Sequence, residues 1–160
     1  MMKFFVMSLA TVLLVNGNMQ SAFAESKKSK AATVTKKMTL FDRLGGAPAI
    51  TAVVDSFVNT TAASPKVNFF RDGKYKGLDV VHLKKQITAF IIQVTGGPSE
   101  YKGRDMKTAH TGMKITADEF NAIAGDLAAT LDKFKVPKTE KDELMAIAAS
   151  TQKDIVETTK

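Results

Sequence analysis

The chain contains no cysteine, and that absence removes a good deal of chemistry. It excludes disulfides, thiolate metal sites, thiol catalysis and a lipid-anchoring residue of the bacterial lipoprotein kind. Histidine is almost as scarce: His82 and His110 are the only two among 160 residues. Two imidazoles without cysteine do not supply the three or four ligands of a zinc site. No Glu-x-x-His element is present for a carboxylate-bridged di-iron centre. No serine occupies a nucleophile elbow, and neither histidine has the motif partners of a hydrolytic triad. Gly96-Gly97 lack the preceding strand that a phosphate loop requires. One metal chemistry survives these exclusions. Haem iron takes four ligands from its macrocycle and asks the protein for one axial imidazole and an apolar slot.

Long hydrophobic runs are also missing. The mostly apolar stretch from Phe4 to Val15 is too short to span a bilayer, and Asn16, Gly17 and Asn18 interrupt it. Preceded by Lys3 and followed by Ala22-Phe23-Ala24, it has the pattern of a secretory leader over residues 1–24, cleaved after Ala24. The expected address is export, and in a bacterium the periplasm. The formal charge of +7 sits mostly in the next segment: residues 25–37 carry Lys27, Lys28, Lys30, Lys36 and Lys37 against Glu25 alone. Residues 38–160 hold 17 Lys and Arg against 15 Asp and Glu. The lysine-rich segment reads as a flexible tether able to touch an anionic membrane surface. It has no interleaved aromatics, so nucleic acid is not an expected partner.

From residue 38 to 160 the pattern is that of one helical domain. Thr39-Leu-Phe-Asp42 is a capping box opening a short helix, which Gly45-Gly46 stop. A second helix over about 47–62 carries Ile50, Val53, Val54, Phe57 and Val58 on one face, and Ser64-Pro65 break it. Val67-Asn-Phe-Phe70 places two aromatics in a turn before a polar connector. Apolar residues then recur from Val80 through Leu83, Ile87, Phe90, Ile91 and Val94, a long helix over about 78–95 that ends at Gly96-Gly97-Pro98. Thr116-Ala-Asp-Glu119 reads as another capping box, followed by Phe120, Ile123, Leu127, Leu131 and Phe134 up to Pro137. A last helix is expected from Thr139 to about Val156, with Leu144, Met145, Ala148 and Ile155 inward. No segment alternates with a period of two, so the fold class is all-α. Five or six unequal helices broken by Gly and Pro read as globin-type packing rather than an even bundle.

Four stretches carry a resemblance to a known family: LFDRLGGAPAI, PKVNFF, GGPSEYKGRDMKTAH and ADEFNAIAGDLAATL. Together they make the chain similar to the group I truncated haemoglobins over most of residues 38–157. The resemblance implies the truncated globin fold, a two-over-two helical sandwich, with one haem b (iron protoporphyrin IX) per chain. It further implies that His110 is the proximal ligand of the iron. Phe70 matches the phenylalanine that packs on the porphyrin, while Phe90, Met106 and Met113 match apolar pocket positions. Tyr101 and Arg104 fall in the loop near the haem propionates. The implied partners are a diatomic gas (oxygen, nitric oxide or carbon monoxide) and a reductase or other electron donor.

The distal side departs from that family. Its members commonly place a tyrosine one residue after a phenylalanine in the second helix; here Phe57 is followed by Val58. Counting back from Gly96-Gly97, the usual polar distal positions become Leu83 and Ile87, with only Gln86 nearby. A missing donor removes about 1–3 kcal/mol of stabilisation and speeds oxygen release by roughly tenfold or more. Reversible binding of a neutral diatomic is therefore the expected function, with no catalytic residue assigned. Nitric oxide dioxygenase or peroxidase-like activity is left as a weak side reaction. In an alternative reading His82 closes the sixth position, giving a six-coordinate haem for electron transfer or sensing. His82 precedes Leu83 by one residue and so points about 100° away on a regular helix. A third reading is a haem-free helical interaction module.

Overall fold

The computed structural model describes residues 37–98 and 101–157. The leader expected over 1–24 and nearly all of the lysine-rich segment 25–37 lie outside the described residues. Seven helices follow one another: α1 (Leu40–Arg43), α2 (Gly46–Ala63), α3 (Val80–Val94), α4 (Met106–His110), α5 (Ala117–Lys133), α6 (Lys138–Ser150) and α7 (Gln152–Ile155). No strand occurs among the described residues. The α2–α3 pair lies over the α5–α6 pair, and α2 packs directly on α5.

The periodicity of α2 translates directly into packing. Ile50, Val53, Val54 and Val58 are buried, with Val54 and Val58 each 1 % exposed. They feed two clusters. On one side Val53 joins Leu40, Leu127, Leu131 and Leu144 between the helix pairs. On the other Ile50, Val54 and Val58 receive Leu83, Ile87, Ile91 and Ile92 from α3. Phe57, Leu44 and Ile91 border both clusters. Burying a branched aliphatic side chain contributes roughly 1.5–3 kcal/mol. These two apolar layers are therefore the main source of the helix arrangement.

The capping box at Thr39 forms as expected: Thr39 Oγ1 accepts from Asp42 N, and the Asp42 carboxylate accepts from Thr39 N at 3.0 Å. The chain then reverses through Gly45 and Gly46, at φ +90° and +73°, angles that a side chain disfavours. The Thr116 box forms only by half. Thr116 Oγ1 accepts from Glu119 N, but the Glu119 carboxylate turns away to Asn68 N and Arg71, each at 2.8 Å. A long-range ion pair has displaced the local cap.

Three boundaries differ from the sequence reading. Helix α3 starts at Val80 because Asp79 caps it, accepting from His82 N at 2.9 Å. Helix α5 ends at Lys133, before the left-handed residue Lys135 (φ +54°), and Phe134 follows it at 40 % exposure. The single last helix expected over 139–156 is two helices, divided at Thr151. Its hydroxyl and backbone N–H both turn back to Ala148 O. With α1 counted, the described helices number seven, not five or six.

Helices α1 and α3 are joined end to end. Phe41 N donates to Thr95 O at 2.9 Å, and the Phe41 ring lies on Gly97. A Cβ at Gly97 would meet that ring at 2.5 Å and the Ile92 side chain at 2.7 Å. Gly97→Ala is accordingly expected to lower stability by about 1–3 kcal/mol, the usual range for forced overpacking, with no change in helix content. Urea unfolding followed by circular dichroism checks this, and an unchanged midpoint would refute the close approach.

Candidate functional site

Helix α4 consists of five residues, Met106–His110, and exists to present one imidazole. Asp105 caps it, its carboxylate accepting from Thr108 N at 2.9 Å. That hydrogen bond, the largest influence on the group, holds the Asp105 carboxyl below its ordinary pKa. His110 is half-buried at the last turn. Its Nδ1 lies 2.7 Å from Met106 O. A carbonyl only accepts, so Nδ1 carries the hydrogen and the Nε2 lone pair is left for a ligand.

The loop entering α4 is fastened to α3 through Tyr101. Its backbone N–H donates to Gln93 Oε1 at 2.6 Å, and its hydroxyl donates to Arg104 O at 2.8 Å. The ring stands edge-on to Phe90 with centroids 5.5 Å apart. Gly103 lies against the hydroxyl end of that ring, where any Cβ would collide with it. Phe90 and Tyr101 thus come together. The Arg104 side chain is exposed, and only its carbonyl takes part in this arrangement. Met106 and Met113, half-buried, flank His110 along the chain.

Phe70 is 37 % exposed and packs edge-on to Phe69 at 5.1 Å. Its turn is anchored from beneath by Glu119, which is 8 % exposed. With Arg71 at 15 % and the Glu119 side chain at 9 %, this pair is largely removed from water. Loss of either partner would leave the other desolvated and unpaired.

The apolar distal residues also converge. Val58 is buried, and Phe57, Leu83 and Ile87 pack around the same cluster. No residue of α3 is buried, although the helix carries an apolar face, so that face keeps apolar surface on offer. Gln86 is half-buried with its amide nitrogen 3.3 Å from Nε2 of the exposed His82. Amide nitrogens donate, so the His82 lone pair is engaged there.

Among the described residues no three His, Cys, Asp or Glu side chains gather as a metal site. A single imidazole whose Nε2 lone pair is left for a ligand fits a metal that brings its remaining ligands with it. Two surface hollows, lined around Pro65–Asn68 with Glu119 and around Ala52–Thr60 with Phe134, include neither His110 nor Phe70, Phe90, Met106 or Met113.

Sequence reasoning passed over Asp105, Gln93 and Gly103, and read Glu119 only as a capping residue of its own helix. Asp105 had a readable signal, a carboxylate three residues before the amide it caps. The long-range role of Glu119 had none, because its partners lie 48 and 51 residues away.

This architecture, two packed helix pairs with a short histidine-bearing helix between α3 and α5 in the chain, is that of a globin reduced to a two-over-two core. The family description "Bacterial-like globin" matches residues 39–157. The chain is 35% identical over 123 residues to a group 1 truncated hemoglobin of Tetrahymena pyriformis, covering 77% of this chain and 98% of that protein. It is 31% identical to the group 1 truncated hemoglobin GlbN of Mycolicibacterium paratuberculosis over 73% of this chain and 83% of that one. The crystal structure of the Tetrahymena pyriformis protein in its Fe(III) form superposes with a TM-score of 0.69, covering 76% of this chain and 100% of that chain. The 2/2 hemoglobin of Synechococcus, described with covalently attached heme, gives 0.67 at 30% identity, covering 74% and 98%. The chain belongs to the group 1 truncated haemoglobins.

The Asp105 cap has a definite pH dependence. With its carboxyl pKa lowered by folding, the cap contributes stability fully above the ordinary carboxylate range, near 3.9. That contribution is lost as pH falls through the lowered value. The protection of the Thr108 amide, relative to its intrinsic exchange rate, should therefore hold through the ordinary carboxylate range and fall only at more acidic pH. Asp105→Ala should lack that protection at every pH.

Proposed function

We propose that this protein binds haem b through His110, one haem per chain, and reversibly binds a neutral diatomic gas on the opposite face. Haem supplies four ligands to its iron and an open coordination position; the protein supplies the fifth ligand and the surroundings. The observation that carries the reading is the His110 tautomer: Nδ1–H to Met106 O at 2.7 Å leaves Nε2 as a metal ligand. Family membership and the Fe(III) form of the Tetrahymena relative support the same cofactor.

The chain's own residues then have distinct tasks. His110 binds and orients. Phe70, Phe90, Met106 and Met113 cover the porphyrin and exclude water, and Tyr101 holds the loop beside its edge. Val58, Leu83 and Ile87 surround the gas without offering a hydrogen-bond donor. A bound ligand that develops negative charge gains no stabilisation from them, which favours nitric oxide, carbon monoxide or loosely held oxygen. Dioxygenase or peroxidase-like turnover, which depends on a held oxygen ligand, is disfavoured for the same reason.

The placement of His82 argues for an open sixth position. It is exposed, and its Nε2 faces Gln86 rather than the Leu83–Ile87 side of α3. Reduction by an external electron donor completes the scheme. Export to the periplasm rests on the leader-like residues 1–24, and membrane contact on the lysines of residues 25–37.

Purified protein should show a Soret band, and ferrous protein should be high-spin and five-coordinate. His110→Ala should abolish that spectrum; a colourless protein after haem reconstitution would sink the proposal. Leu83→Gln places an amide donor on the distal side and should slow oxygen dissociation by about tenfold in stopped-flow measurements. An unchanged rate would remove the apolar distal wall as the determinant of ligand release.

A further inference from the structure

The segment that leaves His110 is held from a distant part of the chain. Gly112 N and Lys114 N both donate to the carboxylate of Glu157, Lys114 N at 2.9 Å. Glu157 N in turn donates to Ile115 O at 2.9 Å. One residue, 45 positions from Gly112, thereby closes three hydrogen bonds across a turn of four residues. The turn needs such a partner. Gly112 and Lys114 sit at φ +83° and +52°, and Lys114 is a residue type that rarely occupies this region. Their N–H groups point outward as a small concave donor site that a carboxylate fills. Met113 N returns to His110 O at 3.0 Å, so the same turn is bonded directly to the histidine's own carbonyl.

Helix α4 has few local bonds at its far end: Thr111 donates from both its hydroxyl and its N–H to Lys107 O. Its five residues are too few to be helical in isolation. Asp105 secures the first turn, while α7 packs against α4 and carries the chain to Glu157. Any displacement of the 111–115 turn would shift the His110 imidazole, and with it the bond it would make to the haem iron. We propose that Glu157 is a positioning residue for His110: it sets the orientation and tension of the proximal bond, and through it the affinity for gas. The inference rests on the haem reading above and extends it to a residue that touches neither haem nor ligand.

The test uses full-length holoprotein. Glu157→Ala should shift the iron–histidine stretching band of the ferrous five-coordinate state in resonance Raman spectra. It should change the carbon monoxide dissociation rate by roughly fivefold, the factor equivalent to one ordinary hydrogen bond. Glu157→Gln, which keeps one acceptor oxygen, should fall between wild type and Glu157→Ala and serves if the latter does not fold. Lys153→Ala, an exposed change on α7, should match wild type. The proposal is overturned if amide exchange at Gly112 and Lys114 accelerates in Glu157→Ala while the Raman band and the rate stay at wild-type values. It is also overturned if Lys153→Ala produces the same changes. Failure of the haem reading looks different: wild type without a Soret band, or His110→Ala with an unaltered spectrum, removes the proximal bond and this proposal with it.

Discussion

A helix of five residues closes too few hydrogen bonds to offset the ordering of its own backbone. The bracing around His110 follows from α4 being that short. Its beginning is held by Asp105, its approach by Tyr101 between Gln93 and Phe90, and its exit by Glu157. The Met106 carbonyl, only one turn back, determines which ring nitrogen of His110 carries hydrogen. A histidine on a long helix would inherit its direction from the helix axis. Here the direction is a property of surrounding segments, and the proximal side is correspondingly open to tuning from a distance.

The distal side is built on the opposite principle. Val58, Leu83 and Ile87 belong to the packed layer between α2 and α3, so their positions come from core burial rather than from polar contacts. Such packing is nondirectional and tolerant of exchange among apolar residues. It confers shape and dryness on the site without any preference for a charged ligand. The two parts of the proposed site thus rest on different forces: directed hydrogen bonds around His110, and dispersion and desolvation around Val58, Leu83 and Ile87.

Much of the frame was legible in the residues. The spacing of Ile50, Val53, Val54 and Val58 translated into burial, because a helix repeats its face every three to four positions whatever lies opposite. Thr39 and Asp42 formed their box because both partners are local. Thr116 and Glu119 carry the same local signal, yet Glu119 found the desolvated guanidinium of Arg71 and the amide of Asn68 instead. A charge-assisted contact away from water outweighs a solvent-exposed cap. Phe134 keeps the helical spacing yet stays exposed, because it lies past the end of α5, next to the left-handed Lys135. The break at Thr151 carries neither glycine nor proline.

By itself the sequence determined the class: an all-α chain, no thiol or multi-ligand metal chemistry, one histidine inside the segment that resembles a proximal motif, and apolar residues at the distal positions. Those properties depend on residue type and short spacing, which need no fold to be read. Only the tertiary structure decided which nitrogen of His110 is free, that His82 faces Gln86, and that Glu119 and Glu157 brace the two segments around the site. Each of these is a contact between residues that are brought together by packing or aimed by a helix turn. The energy that selects it arises only once water has been removed and both partners are held in place.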